Sequence, residues 1–242
     1  MQKIFFIGYL ISLHLLLILM LVKSDFITRV GYRFGFIRHN DPEITQHYEQ
    51  TIKFYERIDA NVPNGTAIFL GDSSIQGLCV SAVVNPSVNF GIGTDTTIGL
   101  LKRLPKYQSL KRASMCVIAI GGNDIKRRDN EEILKNYSAI LQAVPPHLPV
   151  VFSAVVSIDE HVRDDLIGKN RRILELNNGL ETICKAQGPK CTFVDPNQKL
   201  VDASGNLRKE YHEGDGVHLN GVGNSIWIQE LKEIILKVHF RI

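Results

Sequence analysis

The chain has 242 residues, of which 44% are hydrophobic and 22% charged, enough for one domain with a sizeable core and unlike a disordered or polytopic membrane protein. Its net charge of +3 arises in residues 1–40, which carry about +4, so the rest of the chain is near neutral at about −1. A nucleic-acid-binding domain concentrates positive charge on its folded part, and nucleic acid is therefore excluded as a partner.

The N-terminal segment predicts a membrane anchor. Residues 4–22 carry no charge, and a helix over them reaches roughly 28 Å, about one bilayer core. The run ends Met20-Leu21-Val22-Lys23 without a small-residue cleavage pattern. An uncleaved anchor over residues 1–23 is therefore favoured over a removed signal peptide, and also over a buried core helix, which would show a polar face.

Two observations point to opposite orientations of this anchor. Four basic residues follow the segment and only Lys3 and the terminal amine precede it, so a positive-inside count places the domain in the cytoplasm. Cys184 and Cys191, however, bracket a short Gly188-Pro189 turn, a good setting for a local disulfide in an oxidising compartment; two free thiols are the alternative. We expect a membrane-anchored protein with an extracytoplasmic domain.

A stem and a lead-in helix are expected over residues 24–63. Residues 23–40 interleave aromatic and basic side chains, which suits either the lipid headgroup region or a stem packed on the domain. From residue 42 to about residue 60, apolar side chains recur at helical spacing, and a segment rich in Asn, Pro and Gly then ends the helix.

The remainder, residues 64–242, alternates short apolar runs with helical stretches. Strands are predicted at 67–70, 87–90, 116–120, 150–156 and 192–194, and helices near 97–104, 130–143, 167–185 and 222–238. This alternation predicts one α/β domain with a mostly parallel five-stranded sheet covered by helices on both faces. Sites in such sheets lie beyond the carboxyl ends of the strands.

Four polar strings occur in a fixed order, and the first three each follow a predicted strand. They are Gly71-Asp72-Ser73-Ser74, Asn89-Phe90-Gly91-Ile92-Gly93-Thr94-Asp95-Thr96-Thr97, Gly121-Gly122-Asn123-Asp124 and Asp215-Gly216-Val217-His218. Ser73 can present its hydroxyl at a strand-to-helix turn, but it needs a neighbouring base to act as a nucleophile. Alternatively, this string only caps the next helix, or Ser74 is the cap while Ser73 reacts.

His218 is the best candidate base among the eight histidines. Asp215, three residues earlier on a glycine-containing loop, can hold one ring nitrogen and leave the other free for the serine. Asn123 follows a strand and two glycines, so its amide can donate to an oxyanion; a plain turn is the alternative. His212 with its acidic neighbours could suggest a metal site, but the spacing matches no helical histidine pair, and no metal is predicted.

The four strings resemble blocks I, II, III and V of the SGNH, or GDSL, esterase and lipase family, over roughly residues 64–238. The second string is similar to that of the catalytic subunits of platelet-activating-factor acetylhydrolase. The resemblance implies a flavodoxin-like three-layer α/β/α sandwich and no cofactor. It also implies that Ser73 is the nucleophile, that Asp215 and His218 complete a triad, and that Asn123 and the backbone amides of Ser73 and Thr94 hold the oxyanion.

One position departs from the family pattern. Thr94 stands where the family has a glycine, and a β-branched residue tolerates positive φ badly, so a strained turn could shift the oxyanion donor.

The expected reaction is hydrolysis of a carboxylic ester through an acyl-Ser73 intermediate. The expected partner is an ester substrate, either a lipid such as a lysophospholipid or an O-acylated envelope glycan, because both occur at a membrane surface. Two alternatives stay open: an acyltransferase that moves the acyl group to a sugar hydroxyl, and a catalytically silent module that binds glycan or lipid.

Overall fold

The computed structural model describes residues 2–23 and 44–239. It divides the chain into two units, Met1–Pro42 and Glu43–Ile242. The predicted stem falls largely on residues 24–43, outside the described residues, whereas the lead-in helix belongs to the second unit.

The first unit contains helix α1, Gln2–Lys23. Over the residues that the structure describes, no helix is long and apolar enough to cross a membrane. The anchor expected over residues 1–23 is therefore not supported.

The second unit is built on a sheet of five parallel strands. They are β1 Ala67–Gly71, β2 Ser87–Gly91, β3 Met115–Ala119, β4 Val150–Ser153 and β5 Cys191–Val194, in the spatial order β2-β1-β3-β4-β5. Every neighbouring pair is parallel, with Gly71 level with both Gly91 and Ala119. The predicted parallel sheet is confirmed, and its strand order is that of doubly wound, flavodoxin-like sheets.

Helices cover both faces of the sheet. They are α2 Gln46–Asp59, α3 Ser73–Gln76, α4 Thr97–Arg103, α5 Asn130–Ala143, α6 Lys169–Ala186, α7 Asn197–Leu200 and α8 Gly221–His239. Side chains alternate along β1, so that Ile68 and Leu70 pack with α2, α4, α5 and α6 in one core cluster. Phe69 packs with Trp227 of α8 on the opposite face. The α/β fold and its arrangement in three layers follow from this burial of apolar side chains on both faces.

Strand β4 ends earlier than its apolar run predicts. The run continues to Val156, but the strand stops at Ser153. Beyond it, three asparagine side chains bind the backbone in place of a neighbouring strand: Asn177 Oδ1 accepts from Val155 N, Asn197 Oδ1 from Ser157 N and Asn170 Oδ1 from Ile158 N, at 2.7 to 2.9 Å. These bonds satisfy the backbone groups, so the segment leaves the sheet and lies beside the carboxyl edge.

A disulfide links Cys184, in the last turn of α6, to Cys191, the first residue of β5. Both half-cystines are buried.

Candidate active site

The turn after β1 presents Ser73 as the first residue of α3. Asp72 is the N-cap of this helix, because its Oδ1 accepts a hydrogen bond of 3.0 Å from Ser74 N. The suggestion that Ser74 is the cap is therefore wrong. With the capping done by Asp72, the Ser73 hydroxyl is free for another partner.

Two glycines allow this turn to lie against the sheet. A Cβ added at Gly71 would lie 2.5 Å from Ile75 Cγ1, and one added at Gly91 would lie 2.3 Å from Gln76 N. Helix α3 therefore approaches β1 and β2 more closely than any other residue type at these positions would allow. This close packing places α3, and with it Ser73, against the carboxyl edge of the sheet.

Ser73, His218 and Asp215 form a continuous chain of hydrogen bonds. Ser73 Oγ lies 3.0 Å from His218 Nε2, although the two residues are 145 positions apart in sequence, and His218 Nδ1 lies 2.5 Å from Asp215 Oδ2. Because a carboxylate only accepts, Nδ1 carries the ring hydrogen, which leaves Nε2 as the acceptor for the serine hydroxyl. The structure thus brings together the three predicted triad residues in the order that proton transfer from a serine requires.

Asp215 is held in its ionised form. Its Oδ1 accepts hydrogen bonds of 2.9 Å from the backbone N–H groups of Val217 and His218, in addition to the bond that Oδ2 makes with the ring. Partial burial raises the pKa of this carboxyl, but the imidazole and the two backbone donors together lower it to about 2. At neutral pH, Asp215 is therefore a fixed negative charge beside the imidazole.

The predicted oxyanion donors lie on three neighbouring turns of the carboxyl edge. Among the described residues, no group accepts from the backbone N–H of Ser73 or of Thr94. Asn123 Nδ2 donates one hydrogen to the Asp95 carbonyl oxygen at 3.0 Å, which fixes the amide and leaves its second hydrogen for a ligand. Unused donors beside a serine hydroxyl are what a developing oxyanion requires.

Thr94, which stands where the family has a glycine, adopts the left-handed backbone conformation. Its φ is +66°, and among the described residues it is the only non-glycine with positive φ. The neighbouring backbone is held on both sides, since Gly93 N donates to Gln76 Oε1 at 2.8 Å and Asp95 N donates to Ile92 O at 3.1 Å. The surrounding contacts thus impose a conformation that a β-branched residue disfavours.

A buried arginine that the sequence analysis missed ties these turns together. Arg103 is fully buried; its Nε donates to Asp95 Oδ2 at 2.8 Å, and its two Nη atoms donate to the carbonyl oxygens of Phe90 and Gly71. Burial raises the pKa of Asp95, and the neighbouring guanidinium of Arg103 opposes that rise by favouring the carboxylate. The signal was present in the sequence, because Arg103 lies three residues after Leu100, on the apolar face of α4.

Asp124 is a second buried carboxylate that holds one of these turns, the one that carries Asn123. Its carboxylate is buried and accepts from the backbone N and the Oγ1 of Thr97, and it forms an ion pair with Arg128. Burial raises the pKa of Asp124, an effect that these donors oppose. The string that carries Asn123 is thereby joined to the string that carries Thr94.

His212 has a structural partner. Its Nδ1 accepts from the backbone N–H groups of Gly214 and Gly216 at 3.0 and 3.2 Å, so the ring hydrogen lies on Nε2, which donates to Asp159 Oδ2 at 3.3 Å. Asp159 N also donates to Gly216 O. His212 therefore fastens the loop that carries Asp215 and His218. Among the described residues, no group of three His, Cys, Asp or Glu side chains is placed to hold a metal ion.

A cavity of about 240 Å³ adjoins Ser73. Its lining includes Ser73, Asn123, Asp215 and His218 together with apolar side chains of the β4–α6 loop and of α6. A concave, largely apolar cavity with a few polar groups is typical of sites for small ligands.

The fold and the site together define the class of protein. A flavodoxin-like sheet that carries a serine, a histidine and an aspartate in hydrogen-bonded sequence at its carboxyl edge is the architecture of a serine hydrolase. The sequence profile of the GDSL-like lipase/acylhydrolase family matches residues 44–226. The chain belongs to this family, and it is an ester-hydrolysing enzyme.

Solved structures share the fold. A Streptococcus pneumonia protein, provisionally described as a platelet activating factor, superimposes with a TM-score of 0.72 at 25% identity, over 78% of this chain and 93% of its own. A GDSL-like lipase from Bacteroides thetaiotaomicron gives 0.67 at 22% identity, over 77% and 97%. A catalytic mutant of an acetylxylan esterase from Geobacillus stearothermophilus gives 0.56 at 17% identity, over 69% and 94%. No curated protein matches the chain.

Proposed function

We propose that this enzyme cleaves carboxylic esters through an acyl-Ser73 intermediate. The observation that carries the proposal is the unbroken path from Ser73 Oγ to His218 Nε2 and from His218 Nδ1 to Asp215 Oδ2, at 3.0 and 2.5 Å. It supports a nucleophile, a base and an orienting carboxylate in these three roles.

In the first half-reaction, Ser73 Oγ attacks the ester carbonyl carbon while His218 Nε2 takes the hydroxyl proton. The negative charge that develops on the carbonyl oxygen is stabilised by the N–H groups of Ser73 and Thr94 and by the free amide hydrogen of Asn123. The fixed charge of Asp215 stabilises the imidazolium that forms. His218 then gives its proton to the departing alcohol, and the bond between the acyl carbon and the alcohol oxygen breaks.

In the second half-reaction, water attacks the acyl-enzyme. His218 takes a proton from that water, and the tetrahedral intermediate collapses to release the carboxylic acid and return the proton to Ser73 Oγ. The substrate classes that we propose are a lysophospholipid and an O-acylated glycan, which share the ester bond that this chemistry needs.

The test combines labelling with turnover. Wild-type enzyme should react with a fluorophosphonate at Ser73 and release nitrophenol from a short-chain nitrophenyl ester. Ser73→Ala should abolish both, whereas Ser225→Ala, at a surface serine of α8 that bonds only to Gly221 O among described residues, should abolish neither. Full activity in Ser73→Ala would refute the assignment.

We also propose that the domain works in an oxidising compartment, a location that the buried link between Cys184 and Cys191 supports. Alkylation of protein taken from its native source should modify two cysteines, Cys79 and Cys116, under denaturing conditions without reductant, and all four after reduction. Alkylation of all four without reductant would contradict this location.

A further inference from the structure

Buried aliphatic side chains form part of the lining of the cavity beside Ser73, which also includes Lys126, Arg163 and Lys169. Those of Ile125, Leu166 and Ile173 are at most 4% exposed, and Val155, Ile158 and Val217 complete the apolar wall. The wall is part of the core cluster on this face of the sheet, so it is held by packing rather than by a loose loop.

The two side chains that follow Ser73 in the hydrogen-bond chain also line the cavity, and both are partly exposed to solvent. The His218 side chain is 47% exposed and that of Asp215 is 38% exposed. Since His218 protonates the departing alcohol, an alcohol beside this exposed imidazole leaves the other substituent of the carbonyl carbon, the acyl chain, to contact the buried aliphatic side chains.

The volume of the cavity limits the length of that chain. A dry apolar cavity of about 150 Å³ holds benzene, and at roughly 30 Å³ for each group of about the size of water, a volume of about 240 Å³ holds about eight heavy atoms. An acetyl group would leave most of the apolar wall uncovered.

We infer that the cavity is an acyl-chain site and that the preferred substrates are esters of fatty acids with about six to eight carbons, rather than acetyl esters. This inference rests on the proposed function and specifies its substrate. Each methylene that enters the cavity is removed from water in the transition state, so kcat/KM rises about three- to fourfold for each added carbon until the cavity is full.

Two substrate series test the inference on the wild-type enzyme. In the first, the nitrophenyl leaving group is constant and the acyl chain grows from two to twelve carbons. In the second, the acyl group is always acetyl and the alcohol chain grows. In the acyl series, kcat/KM should rise up to six to eight carbons and then level off or fall. In the alcohol series, kcat/KM should change little with chain length. An acyl series that is flat, or an alcohol series that is the steeper of the two, overturns the inference.

Leu166 and Ile167 offer a matched pair of variants. Leu166 lies in the cavity wall and is 1% exposed, whereas its neighbour Ile167 is 66% exposed. Leu166→Trp should lower the ratio of kcat/KM for the eight-carbon ester to kcat/KM for the acetyl ester at least tenfold, and Ile167→Trp should leave that ratio as it is. Leu166→Ala should move the optimum to longer chains, a result that does not depend on whether the tryptophan variant folds.

The outcomes separate this inference from the proposed function. No turnover of any ester, together with no labelling of Ser73, refutes the proposed function. Turnover of acetyl ester with normal labelling but without a chain-length gradient, or with one that the Leu166 variants leave unmoved, refutes the acyl-chain site alone.

Discussion

Replacing Asp72 by asparagine should make the domain more stable at pH 8, by an amount that shrinks as the pH falls. Asp72 is 5% exposed, and burial raises the pKa of its carboxyl from 3.8 to about 6 against the opposing hydrogen bond from Ser74. Asparagine keeps an oxygen at the Oδ1 position, so the cap on α3 is retained while the buried charge is removed.

The magnitude follows from the two pKa values. Because the folded-state pKa is the higher, ionisation is less favourable in the folded protein, and stability falls as the pH rises from about 3.8 through about 6. At 1.36 kcal/mol for each unit, the full cost at pH 8 is about 3 kcal/mol, and about 1 kcal/mol remains at pH 4.5. The advantage of the variant should therefore grow by about 2 kcal/mol between these two pH values.

Urea unfolding of both proteins at pH 4.5 and pH 8 measures this difference. Any constant cost of placing the amide in the site cancels when the two pH values are compared. Asp164→Asn, at an exposed aspartate, removes the same charge without the burial and serves as the control. A difference between Asp72→Asn and wild type that is the same at both pH values would show that burial does not raise the pKa of Asp72.

Three further predictions concern the catalytic loop and the oxyanion turn. Asp215→Asn places an amide N–H opposite His218 Nδ1 and so moves the ring hydrogen to Nε2, where it blocks the base; kcat should fall about 10⁴-fold. A fall in kcat of less than tenfold in steady-state assays would contradict the hydrogen-bond path. His212→Leu removes the acceptor for two loop N–H groups; it should slow fluorophosphonate labelling about 10²-fold and leave KM for the ester unchanged. His212→Asn, whose Oδ1 can replace Nδ1, should restore most of the labelling rate, and equal losses in the two variants would show that His212 does not position the catalytic loop. Thr94→Gly relieves the left-handed conformation and should raise Tm by about 1–4 °C in calorimetry; a lower Tm would mean that the turn is unstrained.

The sequence predicted those features that depend on short-range patterns. Helix α5 was predicted at its observed bounds, and each strand of the sheet was predicted to within a few residues, because apolar runs and helical spacing reflect burial directly. The positive φ at Thr94 was anticipated from the resemblance, because the family has a glycine at this position.

Other predictions depended on partners that lie far away in the chain. The apolar run after β4 resembled a longer strand, but asparagines from α6 and α7 bind its backbone and direct it to the cavity wall. Ser74 and Asp72 were equally good caps by residue type, and only the turn after β1 decides between them. The N-terminal run reached the length of a bilayer span by residue count, yet no helix over the described residues is long and apolar enough to be one.

The sequence by itself determined the order of the polar strings, the parallel sheet beneath them and the chemical types of the candidate catalytic groups, since each depends on residues close together in the chain. The tertiary structure decided the distances. Ser73 and His218 lie 3.0 Å apart because the fold brings two residues that are 145 positions apart in sequence to one sheet edge. Arg103 joins Asp95 to the ends of β1 and β2, and His212 joins the catalytic loop to Asp159, through contacts that no local pattern encodes. Side-chain geometry of this kind arises from packing between distant segments, and packing exists only in the folded chain.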